Sequence, residues 1–235
     1  LKDQGKLKEA VQAFNNAVSI EPDYAEAYNN MGNVLRDQGK PEEAIEASNR
    51  ALSIKPNCAE AHNNIGNVLE EQGKLDEAIQ AYKQALAIKP DYAEAYNNMG
   101  IILKEQGKLD EAIQAYTNAL SIKPDYAVAH RNLSKIKNYT SNDEHFLQLQ
   151  KYYDKEGLSD DVKCDLSFAL AKMYEDTNKL AEAFAHFNEG NALRKKLLNY
   201  SINQDQELFT KLKTTQFHLF KNSLKTNTCF VEPIP

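Results

Sequence analysis

The sequence predicts an all-α fold: a right-handed α-solenoid of helix–turn–helix repeats, followed by a helical capping or connecting region. Two observations carry that prediction. Four series of residues recur every 34 positions in one register: Pro22, Pro56, Pro90 and Pro124; Gly5, Gly39, Gly73 and Gly107; Ala10, Ala44, Ala78 and Ala112; and Ala17, Ala51, Ala85 and Ala119. Within each period the apolar residues keep helical spacing, in two runs separated by glycine and lysine. A fixed period of this length marks stacked units, because one hairpin cannot bury its apolar face alone.

Residues 1–136 form the predicted array. Leu1 aligns with Leu35, Leu69 and Leu103, so residues 1–24 read as a truncated repeat that begins inside its first helix, with Gly5 at the turn. Residues 25–58, 59–92 and 93–126 are complete repeats. In the first of these, one helix runs over 25–38, with Tyr28, Met31 and Leu35 on one face. Gly39 stops it, because glycine reaches the left-handed cap conformation cheaply. A second helix runs over 41–54, with Pro41 at its start, where a missing N–H costs nothing, and Pro56 beyond its end. Ala44, Ile45, Ala51 and Leu52 are its apolar points. The alanines and the series Gly32, Gly66 and Gly100 let helices approach closely. The string AYNNMGNVLRDQGKPEEAIEASNRALSIKP resembles the tetratricopeptide (TPR) repeat family almost position by position, and the resemblance covers residues 1–133. The register then fails. Ser141, Phe146 and Leu158 stand where glycine, alanine and proline are due, so residues 127–136 read as a half repeat that keeps only its first helix.

Residues 137–225 read as a divergent helical region. KNYTSN at 137–142 is a linker of turn formers. A helix follows with Phe146, Leu149 and Tyr153 on one face. Ser159 is the expected N-cap of the next, with Asp160 and Asp161 favouring its first turn. One TPR-like unit spans about 164–197, where Leu170, Ala171, Tyr174, Ala183, Phe187 and Gly190 fall at the expected intervals. A last amphipathic helix is expected over 204–224, with Leu208, Leu212, Leu219 and Phe220. Residues 226–235 read as a tail leading toward a further domain, with a strand beginning near 231.

Composition narrows the function classes. The formal net charge is −6, and the acidity sits mostly in the first 136 residues. That argues against nucleic acid, where Lys and Arg would have to neutralise phosphates. No run of 18 or more apolar residues occurs, so no membrane span is expected. Cys58, Cys164 and Cys229 are odd in number and far apart, a pattern of reduced thiols in a cytoplasm rather than of disulfides or zinc. His62 and His130 take the place held by Tyr28 and Tyr96, a packing site; His145, His186 and His218 stand isolated in the sequence. Arg194, Lys195 and Lys196 read as a solvated helix face. No catalytic residue, metal site or cofactor site is expected.

The expected function is to bind a polypeptide. First helices of successive repeats line the concave face of such an array, so their exposed positions form ladders. One is Asn30, Asn64, Asn98 and Asn132; Asn29, Asn63 and Asn97 sit beside it, and Asn33 and Asn67 lie one turn further on. Asparagine offers an acceptor and two donors, matching a peptide group. Helices pack roughly 8–10 Å apart and an extended chain advances roughly 3.3 Å per residue, so one asparagine per repeat meets about every third residue of a bound peptide. The repeats resemble those of the O-linked N-acetylglucosamine transferase, and that resemblance implies a peptide-holding role for Asn30, Asn64, Asn98 and Asn132. The alternative is that these amides bond within the array. Another TPR family clamps the C-terminal carboxylate of chaperones with Lys and Arg. Here Glu26, Glu60 and Glu94 occupy one such ladder, and Arg131 and Lys135 are the nearby cations, so that clamp is not expected.

Two readings of the whole differ in what accompanies the repeats. One is a free-standing adaptor whose C-terminal helices cap the array. The other rests on LSDDVKCDLSFALAKMYED, AFAHFNEGNALRKKLLNY and the ending EPIP, which resemble the connecting region of bacterial TPR-containing sulfotransferases over residues 134–235. That resemblance implies a catalytic domain beginning just beyond, with a phosphate loop for the sulfate donor PAPS. No such loop occurs within residues 1–235.

Overall fold

The computed structural model describes residues 4–199, and among them every regular element is a helix: α1 Gln4–Ile20, α2 Ala25–Asp37, α3 Pro41–Ile54, α4 Ala59–Glu71, α5 Leu75–Ile88, α6 Ala93–Glu105, α7 Leu109–Ile122, α8 Ala127–Ser134, α9 Glu144–Tyr153, α10 Asp160–Asp176 and α11 Leu180–Leu197. The pairs α2–α3, α4–α5 and α6–α7 are antiparallel hairpins. Each second helix also packs on the first helix of the next repeat, which makes the chain an α-solenoid.

Small residues set the spacing of the hairpins. Ala44, Ala51, Ala78, Ala85, Ala112 and Ala119 are fully buried. Gly66 and Gly100 face the rings of Tyr82 and Tyr116; a Cβ on Gly66 would stand 2.5 Å from Tyr82 Cε1. The tyrosine ring thus occupies the volume that an alanine at the glycine position would need. Gly39, Gly73 and Gly107 take φ near +74°, +73° and +74° at the turn between helices, as the spacing requires. In the repeat 25–58 the tyrosine is replaced by Ser48, whose hydroxyl bonds back to the Ala44 carbonyl at 3.0 Å.

Three elements differ from the regular repeats. Helix α1 runs from Gln4 without interruption, so Gly5 lies in a helix rather than in the expected turn. After the half repeat at 127–136 and the linker, the expected helix is α9, and Phe146 and Leu149 are buried against Leu166, Leu170 and Met173 of α10. The linker is not merely solvated, since Tyr139 is buried and its N–H donates to Asp176 at 3.3 Å. Finally, the TPR-like unit has a longer first helix: α10 has 17 residues where α2, α4 and α6 have 13. Its turn is Asn178-Lys179-Leu180, echoing Gly73-Lys74-Leu75, with asparagine at φ 57° in the role of glycine. Asparagine tolerates that region better than other residues with a Cβ. Ser159 does stand at the N-cap of α10, though its side chain makes no capping bond there. The helix expected over 204–224, the tail 226–235, His218 and Cys229 lie outside the described residues.

Candidate peptide-binding face

The asparagine rows come together on the first helices α2, α4, α6 and α8, but they are not free ends pointing at solvent. Asn64 Nδ2 donates to Asn29 Oδ1 at 2.8 Å, Asn98 Nδ2 to Asn67 Oδ1 at 2.9 Å and Asn132 Nδ2 to Asn97 Oδ1 at 3.1 Å. Asn97 Nδ2 in turn donates to Asn98 Oδ1 at 3.2 Å. Each of the first three bonds ties one repeat to the one before it. Asn29, Asn63, Asn64 and Asn97 are buried, against the expectation of exposed ladders; Asn33, Asn67, Asn98 and Asn132 are half-buried, and Asn30 is exposed. The rows are therefore first of all clasps between repeats. Sequence spacing put these amides on one side of the array, but a periodic pattern does not say whether a side chain reaches outward or across to its neighbour.

The clasp leaves capacity unused. An asparagine amide has two N–H donors and an acceptor with two lone pairs. Asn98 spends one donor on Asn67 and one lone pair on Asn97, so a donor and a lone pair remain on a half-exposed side chain. Asn63 Oδ1 is buried and has no hydrogen-bond partner; Asn98, which by repeat symmetry would serve it, has turned to Asn67. Tyr82 explains the irregularity. Its hydroxyl reaches from α5 to within 2.8 Å of Asn67 Oδ1 and 2.9 Å of Glu70, and its one proton serves one of these two oxygens at a time. Burial and the Glu70 carboxylate push that phenol well above its ordinary range. In the next repeat Ile101 and Lys104 replace Asn67 and Glu70, and the Tyr116 hydroxyl is left without a partner.

The acidic row is neutralised locally. Glu26, Glu60 and Glu94 pair with Lys55, Lys89 and Lys123 at 3.4, 3.3 and 3.2 Å. Lys89 and Lys123 also sit over the rings of Tyr92 and Tyr126. Partial burial pushes the Glu60 carboxyl up, but its own backbone N–H and Lys89 outweigh that and hold it below the usual carboxylate range. These carboxylates are thus committed to lysines and do not dominate the face.

Two histidines expected to be isolated have close partners. His145 Nε2 lies 2.6 Å from His130 Nδ1, and its Nδ1 lies 3.0 Å from the Tyr139 hydroxyl. His186 stacks on Tyr174, meets Tyr153 edge to face and lies 3.8 Å from Glu189. Both sets join different helices, and their convergence depends on how those helices pack rather than on spacing within one helix. The run Arg194–Lys196 is exposed, as expected, and Lys196 makes a surface ion pair with Asp160 at 2.5 Å. Cys58 and Cys164 are buried thiols, and burial pushes Cys58 up. Among the described residues no group of three or more His, Cys, Asp or Glu side chains is placed to hold a metal ion, and no helix is long and apolar enough to cross a membrane. Clefts of about 550 and 650 Å³ open between α1 and α3 and between α7 and α9; neither is lined by a ladder asparagine.

Comparison with known families agrees with this geometry. A family model described as TPR repeat matches residues 1–36, 32–73 and 66–107, and one described as tetratricopeptide repeat matches residues 93–126. The chain belongs to the tetratricopeptide repeat family. Among solved structures, the TPR array resembles PilF of Pseudomonas aeruginosa, at 21% identity and a TM-score of 0.58, over 89% of this chain and 91% of that one. It also resembles YrrB, described as a TPR protein with an unusual peptide-binding site, at 18% identity and a TM-score of 0.55, over 78% and 93% of the two chains. At these identities the likeness is one of fold. No curated protein matches the chain by sequence.

Proposed function

We propose that this TPR protein is a scaffold that holds an extended polypeptide along its first-helix face, with Asn30, Asn98 and Asn132 as the main contacts and Asn33 and Asn67 beside them. The observation that carries this reading is the spare amide capacity of Asn98 and Asn132, together with the exposed Asn30, beside carboxylates neutralised by lysines. Such contacts read backbone and tolerate varied side chains. Asn29, Asn63, Asn64 and Asn97 act indirectly, by fixing the angle between repeats. YrrB, which shares the fold, is described as having a peptide-binding site. The finer reading is that the repeats recruit substrate for a PAPS-dependent sulfotransferase domain in the cytoplasm; its support is the resemblance of residues 134–235 and the reduced cysteines. A sulfotransferase loop in the reading frame after Pro235 upholds it, and any other continuation leaves an adaptor.

Asn30 is the cleanest probe, because it is exposed and takes no part in the clasp bonds described above. Asn30→Ala combined with Asn132→Ala removes two contacts of about 0.5–1.5 kcal/mol each. Affinity for a captured partner, measured by calorimetry, is expected to fall roughly 5- to 100-fold while the helical circular dichroism stays intact. Unchanged affinity in the folded variant would sink the reading.

A further inference from the structure

The rows of the first-helix face change together at one place. The row Glu26, Glu60, Glu94 continues as Val128; the row Asn29, Asn63, Asn97 continues as Arg131; the row Asn33, Asn67, Ile101 continues as Lys135. All three changes at α8 move the local charge in the positive direction. The structure gathers further cations there. Arg131 pairs with Asp165 of α10 at 2.8 Å, and its guanidinium carbon lies 5.0 Å from the centroid of Phe168. Arg194 of α11 approaches the same ring at 5.3 Å. Two guanidinium groups therefore share one aromatic ring and, among the described residues, one ion-paired carboxylate.

This cluster is continuous with the asparagine clasp. Lys135 Nζ lies 3.5 Å from Asn132 Oδ1, Asn132 bonds to Asn97, Asn97 to Asn98 and Asn98 to Asn67. Lys135 is exposed; partial desolvation of its ammonium, with Arg131, Lys104 and Arg194 nearby and Asp165 opposing them, holds it below the ordinary lysine range. Like charges held this close are relieved by an anion. We infer that the face is polar along its length, with α2–α6 reading neutral backbone and the Lys104–Arg131–Lys135–Arg194 cluster taking an anionic side chain of the same bound polypeptide. The anion is an internal side chain rather than a chain terminus, because α10 packs beside α8 and carries the array past the cluster. The acid fixes the direction in which the peptide lies, which backbone contacts alone do not.

The inference rests on the peptide-binding reading, and the test separates the two. The full chain is titrated by fluorescence anisotropy with labelled peptides about twelve residues long, a length that spans four repeats. One is a neutral Gly-Ser-Thr-Ala peptide. The others carry a Glu-Glu pair or a phosphoserine near one end, each with its C-terminus free or amidated. The acidic peptides are expected to bind at least tenfold more tightly than the neutral one, whatever the terminus, and raising the salt from roughly 0.05 to 0.5 M is expected to remove most of that advantage by screening. Lys135→Glu is expected to abolish that advantage, and Lys135→Arg to keep it. Equal binding of neutral and acidic peptides overturns the anion site and leaves peptide binding standing. Acid preference that depends on a free C-terminus overturns the internal placement. Acidic-peptide binding that survives both Lys135→Glu and Lys104→Glu in folded protein overturns the assignment to this cluster. If no peptide binds at all, both readings fall. A Glu-Glu peptide that binds while the phosphoserine peptide does not identifies carboxylate as the anion, and the reverse identifies phosphate.

Discussion

Residues 25–126 and residues 127–199 are built from the same helical hairpins but are held together differently. In the first region the buried side chains are mostly alanine, with Tyr82 and Tyr116 lying against Gly66 and Gly100. Its polar contacts are repeated amide bonds. In the second region the core is Tyr139, Phe146, Leu149, Leu166, Leu170 and Met173. Its polar contacts are individual: the His130–His145–Tyr139 set, and the Glu189 carboxylate, which accepts from Tyr153, Ser167 and Lys163. The contrast has a geometric cause. Where the backbone repeats every 34 residues, small residues at fixed positions are enough to seat each hairpin. Asn178 lies 71 residues after Gly107, three more than two periods, so the turn after α10 and the helix α11 beyond it fall out of register with those positions. Large side chains and one-off polar bonds fill the mismatch.

That difference predicts separable stability. Arrays of this type couple mainly to nearest neighbours. Phe146→Ala removes a fully buried ring from the second region and is expected to cost about 3–5 kcal/mol there. In hydrogen exchange, amides of α9–α11 are then expected to lose protection while those of α4–α7 keep it. Equal loss throughout would mean that the two regions form one cooperative unit.

A smaller effect compares repeats within the regular array. Gly66→Ala places a methyl 2.5 Å from the fully buried ring of Tyr82. Overpacking of this kind costs about 1–3 kcal/mol, set against a gain of up to about 1 kcal/mol in helix propensity. Gly32→Ala meets the Ser48 hydroxyl at 2.7 Å, a small group that can rotate away, and the Ala44 carbonyl at 3.1 Å. Denaturant unfolding is expected to rank Gly66→Ala as the more damaging. The opposite order would show that the tyrosine does not set the hairpin spacing.

The fold was largely legible because its signals were periodic. The turns at Gly39, Gly73 and Gly107 and the bounds of α3 follow from glycine, proline and helical spacing alone. What escaped was whatever depends on contacts across repeats. Asn64 and Asn98 looked like solvent-facing ladder rungs, yet each spends an N–H on the preceding repeat. Phe146 stands where alanine is due, on the expected apolar face of its helix, but spacing alone did not show that this face meets α10 in a second core. The cations were visible singly as Lys104, Arg131, Lys135 and Arg194. Their convergence required α8, α10 and α11 to be placed. A clue was present: Asp165 follows Arg131 by one full period of 34 residues, so the repeat spacing outlasts the residues that announce it.

The histidine pair offers the finest discrimination between the regions, through pH. The Pro124 carbonyl can only accept, so His130 Nε2 donates to it at 2.9 Å. The neutral ring's Nδ1 must then accept from His145 Nε2, which leaves His145 Nδ1 to accept from the Tyr139 hydroxyl. Every polar atom of both rings is used with both histidines neutral; an added proton on His130 Nδ1 meets the His145 N–H, and one on His145 Nδ1 forces the Tyr139 hydroxyl to turn its own proton away. Burial, then the neighbouring His130 and Lys137, push His145 down to about 3, and burial lowers His130 too. The unfolded chain therefore binds more protons than the folded one between about pH 6.5 and 3. Stability from this contact is complete above about pH 6.5 and is lost as the pH falls through that window, at up to about 1.4 kcal/mol per pH unit for each proton taken up. His145→Gln keeps a hydrogen-bonding side chain but cannot titrate. In urea melts between pH 7 and about pH 5, above the carboxylate range, the second region of the wild type is expected to lose stability more steeply than that of the variant, while α4–α7 respond alike in both. Parallel pH profiles for the second region would show that the two rings accept protons without cost.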